Sequence, residues 1–449
     1  MVNKKVLIIT TFFSPEAHAA MFRAHKLAKY LKKLGWQPYV LTVDTNYMYN
    51  ENLTLLDELK GIPIHRTKYI EPSLRGLKMA LGGADRTYKT LKKQGVFDDA
   101  KQESSASGVV SDSNTISLQS KIYNYILNHH LKNPDRFWTW KKGAIKQAKK
   151  LINEENIGTV FTTCLPFTPN EIGIELKKTM PIKWVADFRD PITYGKRFHS
   201  SIPKVFANQK KIQDDTFKYA DKIIGTSSSY GLIFHDQYAG EYDDKFKFIP
   251  TGVDDDYFPK PQLEKENTLI FVGEYLKEYK DNFFKLYKKA IEGLSEKKVP
   301  KIHIIGNKEI NESVALPYVK KLELTKNVVF FDHIPQLELY QKIEKSKYVL
   351  LINGDKAYWW CVFAKLIDYI ALKKQVLAFV PEISEAKKEL QKANTATFLK
   401  FNEDDSVEKL RELLINPQTI KKPNNDYCKR YLASSQVKEF INVFEKLQS

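Results

Sequence analysis

Short apolar runs alternate with helix-spaced patterns along most of this chain, and they do so in two separate series. An apolar run of four to six residues without polar interruption suits a strand buried on both faces, as in a parallel sheet. In the first series such runs lie at 6–10, 39–43, 160–163, 182–186 and 222–226. Between the first two, Ala24, Leu27, Ala28, Leu31 and Leu34 recur at helical spacing, and Gly35 follows as a helix stop. Further helical patterns fall at 123–131, 144–152, 170–178, 202–219 and 227–238. A short strand opens 246–258 and leads into a linker, after which a second series begins. Its strands are expected at 269–272, 302–305, 328–331, 348–352, 376–379 and 397–399, and its last helices at 407–414 and 437–447. A chain of 449 residues is too long for one core. The expectation is therefore α/β: two tandem doubly wound parallel-sheet domains, 1–250 and 251–430, with 431–449 a closing helix packed back on the first. The stretch 95–119, rich in Ser, Asp, Gly and Gln, reads as a mobile surface insertion.

Lys and Arg number 71 against 54 Asp and Glu, a net charge of +17. Such an excess favours an anionic partner: a phosphorylated small molecule, an acidic membrane surface or nucleic acid. The basic residues form no recognised nucleic-acid motif, so no nucleic-acid partner is expected. Helices such as 141–150 and 204–211 carry enough lysine to attract anionic lipid, each residue adding about 1 kcal/mol near the surface. Cys164, Cys361 and Cys428 have neither metal-ligand nor disulfide spacing. The N-terminus has no cleavable signal pattern, and no apolar run approaches the ~20 residues of a membrane span. The expected location is cytoplasmic, with any membrane contact peripheral and on the inner face. No strand-Gly-x-Gly-x-x-Gly-helix pattern supports a dinucleotide oxidoreductase, and no serine elbow or Cys/His pair supports a hydrolase.

The segment 184–191 (WVADFRDP) ends an apolar strand in three charged residues and a proline. Ligands of open α/β sheets bind beyond the carboxyl ends of strands, which makes Asp187, Arg189 and Asp190 candidates for chemistry; a helix-capping cluster is the competing reading. Two such domains facing each other would give a cleft, the default place for a ligand.

Several segments, taken in order, resemble glycosyltransferase family 4, whose members have the GT-B architecture of two Rossmann-like domains and an inter-domain cleft. They are 5–16 (KVLIITTFFSPE) with Arg23, 248–254 (FIPTGVD), 271–274 (FVGE), 365–369 (KLIDY) and 375–381 (QVLAFVP). The Asp-Phe-Arg-Asp-Pro box resembles a bacterial subgroup that builds surface polysaccharides. The resemblance implies a retaining, metal-independent transferase with no cofactor. It would move a sugar from a nucleotide diphosphate donor, bound by the second domain, to a hydroxyl of a lipid-linked or polysaccharide acceptor on the first. The alternative is a transferase-like scaffold that binds nucleotide sugar without turnover.

On the donor side the resemblance points to the Gly273 loop, to Lys280 as the diphosphate-binding lysine with Lys277 as fallback, and to Lys365. Without a metal, cationic side chains and helix N-terminal amides must stabilise the departing diphosphate. Gly354, after the strand 348–352, would let backbone amides approach phosphate. Asp368 stands where the family usually has a glutamate gripping the ribose diol. Eight positions upstream, where the family has a second acid, this chain has Trp360, which could stack on a ring or belong to the core. On the acceptor side Phe12, Phe13, His18 and Arg23 are candidates, because the first loop lacks glycines for phosphate cradling, with a structural role the competing reading for each. Asp187 would stabilise positive character at the anomeric carbon, Arg189 would pair with an anion or hold the aspartates, and Asp190 would orient the attacking hydroxyl. The acidic run 254–256 is read as solvent-facing, so no metal site is expected.

Overall fold

The computed structural model describes residues 2–16, 19–45, 51–73, 76, 125–195, 198–260, 265–353, 356–416 and 419–449. His18, Gly354 and the 95–119 insertion lie outside the described residues. The chain forms two compact units: Met1–Thr226 with Tyr230–Phe248 and Glu439–Ser449, and Ile249–Lys438 with Ser227–Ser229.

In the first unit seven strands form one sheet: β1 (Lys5–Ile9), β2 (Gln37–Val43), β3 (Ile64–Thr67), β4 (Thr159–Cys164), β5 (Lys183–Phe188), β6 (Lys222–Gly225) and β7 (Phe246–Phe248). Their order is β3-β2-β1-β4-β5-β6-β7, and every adjacent pair is parallel. In β1 and β4 all but one residue is buried, the exception being Lys5, because helices cover both faces of such a sheet. The closing helix Ala433–Gln448 delivers Phe440 and Phe444 to this unit. Phe440 meets Phe161 edge-on at 5.5 Å between centroids, and Phe444 lies 5.7 Å from Trp36.

Two departures from the sequence reading matter. Strand β3 is an edge strand, Ile-His-Arg-Thr, half-buried throughout. It lacks an apolar run because only one neighbour and part of one face cover it. Strand β5 runs two residues past the expected end at Ala186, pairing Asp187 with Thr163 and Ile224, and Phe188 with Cys164 and Gly225.

The second unit has six parallel strands: β8 (Glu266–Val272), β9 (Lys301–Ile305), β10 (Val328–Phe331), β11 (Ser346–Ile352), β12 (Gln375–Phe379) and β13 (Ala396–Phe398), ordered β10-β9-β8-β11-β12-β13. Side chains alternate between its faces. Leu269 and Phe271 enter one cluster with Phe283, Tyr287 and Leu350, while Ile270 enters another with Val349, Leu366 and Tyr369. Two buried faces explain why the inner strands β8, β11 and β12 read as apolar runs, whereas the apolar edge strand β10 is only partly covered. In each sheet the strand order reverses beside the first strand of its series, at β1/β4 and at β8/β11, and a crevice at the carboxyl ends opens at such points.

Candidate functional site

The β8/β11 switch point of the second unit carries the best-formed constellation. Strand β8 runs into Gly273, whose φ of 116° lies in the region that favours glycine. Its N–H donates to the Ile305 carbonyl at 2.7 Å, and its carbonyl accepts from Asn311 Nδ2 at 3.0 Å. The fully buried Asn311, on helix Lys308–Lys321, also accepts from the Tyr275 N–H at 2.7 Å, so one side chain locks both ends of the turn. Close approach is obligatory here: a Cβ on Gly306 would stand 2.5 Å from the Gly273 carbonyl oxygen.

Lys365 lies in the first turn of helix Ala364–Ala371, whose leading amides have no side-chain cap. A Cβ at Gly273 would collide with the Lys365 ammonium, which sits 5.4 Å from the centroid of the Phe271 ring. Burial pushes the Lys365 pKa below that of an ordinary lysine, with Glu274 opposing the shift. On the same sheet edge, Asn353 follows β11 and donates its N–H to the Phe379 carbonyl at 2.7 Å. Its side-chain amide nitrogen is buried with no protein acceptor. A buried donor left open is costly unless something occupies it. Glycine turn, ammonium, helix N-terminus and open amide are all suited to anionic oxygen.

One turn further along the helix, Asp368 is half-buried, and its Oδ1 accepts from the Tyr340 hydroxyl at 2.7 Å. Of the other donor-side candidates, Lys277 and Lys280 are exposed: the first in the turn Lys277–Tyr279, the second at φ 49° with its carbonyl accepting from the Tyr275 hydroxyl at 3.0 Å. Lys365, not Lys280, is the cation set against the glycine turn. Trp360 is only 3% exposed, with Tyr358 tilted against it at 6.1 Å between centroids, so its ring faces belong to the interior.

The first unit corrects the reading of the Asp-Phe-Arg-Asp-Pro box. Asp187 is fully buried, and Arg23 is 3% exposed. Arg23 Nε donates to both carboxylate oxygens at 3.1 and 3.0 Å and Nη2 to Oδ1 at 2.8 Å, while the Thr163 hydroxyl donates to Oδ2 at 3.0 Å. The guanidinium also lies 5.2 Å from the Phe440 ring centroid. Because β5 continues through Asp187, this side chain is an interior ladder residue rather than a group presented beyond the strand. Neither it nor Arg23 has surface to offer a substrate. Phe13 is likewise fully buried, its ring 6.2 Å from that of His25, and is a core residue rather than an acceptor contact.

Arg189 donates Nη1 to the Ala20 carbonyl at 2.8 Å and Nη2 to the Leu165 carbonyl. Its own carbonyl accepts from Thr226 and Tyr230 hydroxyls at 2.8 and 2.9 Å. Burial lowers its pKa while Asp190 and Asp187 oppose the shift, and these bonds tie it to the loops bordering the sheet. Asp190 is half-buried beside it.

At the carboxyl edge of β1, β2 and β3, Glu16 is 8% exposed in a niche with Arg136, Phe137 and Asp44 whose free volume is ≈ 10 Å³, the room of one water. Burial raises the Glu16 pKa to about 7, with Arg136 and Arg66 pulling it back. A larger groove of ≈ 500 Å³ lies among helices Lys141–Glu154, Thr168–Thr179 and Pro203–Tyr219. Its rim is balanced in charge, since Lys141 pairs with Glu171 at 2.8 Å and Lys211 with Asp215 at 2.6 Å.

The acidic run is structural: Asp254 accepts from the Asp256 N–H at 3.0 Å and Asp255 from the Ser434 N–H at 2.9 Å. Among the described residues no group of three or more His, Cys, Asp or Glu side chains is gathered as a metal-ligand set, and no helix is long and apolar enough to cross a membrane.

Sequence reasoning missed Gly306, Asn311 and Tyr340. Gly306 had a signal, a glycine directly after an apolar strand. The other two had none, because their partners stand 38 and 28 residues away.

No protein-family model and no curated protein matches the sequence. Solved structures match it end to end. Sucrose-phosphate synthase from Thermosynechococcus elongatus aligns over 99% of both chains with a TM-score of 0.58 at 10% identity. The lipopolysaccharide outer core galactosyltransferase WaaB, in its apo form, aligns over 98% of this chain and 99% of its own, with a TM-score of 0.54 at 12% identity. HepE from Anabaena, in complex with UDP, aligns over 99% of this chain and 98% of its own, with a TM-score of 0.52 at 11% identity. At such identities the likeness is one of fold. This chain, with its seven- and six-stranded parallel sheets, has the two-domain Rossmann-like fold of the GT-B glycosyltransferases.

Proposed function

We propose that this protein is a retaining glycosyltransferase that moves a sugar from a nucleoside diphosphate donor to a hydroxyl of a lipid-linked or polysaccharide acceptor. The observation that carries the reading is the donor-rich edge at β8/β11: the Lys365 ammonium over Gly273, with the open Asn353 amide on the same edge. Groups held in place by the fold need no rearrangement as negative charge grows on a departing phosphate. The bond between the anomeric carbon and the diphosphate oxygen breaks, and the acceptor hydroxyl oxygen bonds to the same face. The acceptor's proton passes to the departing diphosphate. Lys365 and the first amides of helix Ala364–Ala371 hold that diphosphate, and Asp368 holds the ribose. Asp187 and Arg23 take no part in chemistry and secure the first sheet.

The UDP complex of HepE, a neighbour in fold, supports testing UDP-sugars first. The net charge of +17 supports an acceptor carried at an anionic membrane surface. Trp360 supports a second reading, a non-catalytic binder, since it puts a buried indole where the resembling family has an acid.

The experiment is nucleotide release from a panel of nucleotide sugars with membrane extract as acceptor. Release is expected from one donor, with Lys365→Met lowering it about 10²–10³-fold. Calorimetric binding without consumption would favour the binder, and neither binding nor release from any donor would refute both readings.

A further inference from the structure

We infer that Tyr340 is a specificity-determining positioning residue: it aims the Asp368 carboxylate at the 2′,3′-diol of a ribonucleotide. The inference rests on the donor-site reading above and adds to it which residue makes the site select ribose. Tyr340 is 1% exposed on helix Gln336–Lys345, so its ring has one position. Its hydroxyl accepts from Gln336 Nε2 at 2.8 Å and donates to Asp368 Oδ1 at 2.7 Å.

A phenol has a single proton. With Gln336 supplying a donor from one side, that proton is directed to the carboxylate. Burial and the adjacent Asp368 push the Tyr340 pKa far up, so the proton stays in place at any working pH. The Asp368 rotor is thereby pinned, and a carboxylate retains enough lone pairs to accept from further hydroxyls.

Asp368 also stands three residues after Lys365, and residues so spaced lie on one helix face about 5–6 Å apart at Cβ. A ribonucleotide can thus reach the ammonium with its phosphate and the carboxylate with its diol. A carboxylate free to rotate would grip a diol more weakly and discriminate less. A site built to hydrogen-bond a hydroxyl rejects the analogue that lacks it.

The test measures calorimetric affinity of the full-length protein for UDP and for 2′,3′-dideoxyuridine diphosphate. The wild type is expected to prefer UDP at least tenfold. In Tyr340→Phe that preference should collapse by about tenfold, the lower end of what one hydrogen bond to a charged group supplies. Affinity for the dideoxy compound should stay within about twofold. Gln336→Leu, at an exposed site, should lose part of the preference and serves if Tyr340→Phe does not fold. Equal weakening toward both nucleotides would make Tyr340 a packing residue and overturn the inference, as would an unchanged preference. A wild type that binds both equally would remove the role of Asp368, and Tyr340's with it, while leaving the phosphate site standing. A wild type that binds neither these nor any other ribonucleoside diphosphate would overturn the donor-site reading itself.

Discussion

Replacing Asp187 with alanine should destabilise the first unit severely, and the size of the loss follows from its surroundings. The carboxylate is fully buried, receives three contacts from a guanidinium 3% exposed, and accepts a fourth from Thr163. Removing one partner of a buried pair leaves the other charge stranded, at a cost of about 3–5 kcal/mol. The lost Thr163 bond adds roughly 1 kcal/mol. The sum is about 4–6 kcal/mol, which at ~2–4 °C per kcal/mol for a unit of this size lowers its transition by on the order of 10–20 °C. Urea unfolding followed by tryptophan fluorescence reads this directly, since the fully buried Trp184 shares β5 with Asp187. The doubly substituted protein, Arg23→Leu with Asp187→Leu, should recover most of the loss, because an apolar pair strands no charge. A single-substitution cost below about 1 kcal/mol, or a double variant as damaged as the sum of both, would refute the reasoning. Unchanged stability with abolished turnover would return Asp187 to the chemistry.

Two further outcomes are expected. Glu16 has a folded-state pKa raised to about 7 from 4.5, so between those values the folded state binds the more protons. Stability from this group is present at low pH and lost as pH rises through about 7. Glu16→Gln should therefore stabilise the protein at pH 8 by roughly 2–3 kcal/mol and much less at pH 5, as urea midpoints at the two pH values will show. Gly306→Ala forces a methyl against the Gly273 carbonyl at 2.5 Å. It should cost about 1–3 kcal/mol and weaken UDP binding, whereas alanine at exposed Gly143, with nothing within 4 Å of its Cβ, should do neither.

Much of the architecture was legible locally. Eleven of the thirteen strands contain or overlap apolar runs read from the sequence, often with the run covering only the strand's centre, because strands buried on both faces, such as β1 and β12, admit little else. The exceptions have local causes. The edge strand β3 is half-covered and therefore mixed in composition, and β7 is three half-buried residues that merge into the linker. Of the candidate site, Gly273 stands at the end of β8, and Lys365 and Asp368 lie three residues apart on one helix. The sequence points to Lys280 with Lys277 as fallback, because loop length is ambiguous there, and the loop leaves both side chains exposed.

By itself the sequence determined two parallel sheets and the place where the second series of strands begins. These depend on periodicity and on breakers, which act over a few residues. Only the tertiary structure decided which charges are spent inside and which remain for a ligand. Asp187 reads from the sequence as a group presented at a strand's end, yet Arg23, 164 residues away, lies against it, and the Asp368 carboxylate accepts from Tyr340, 28 residues away. Burial and pairing arise between distant segments, and the free energy of an ionised group depends on them far more than on its neighbours in the chain.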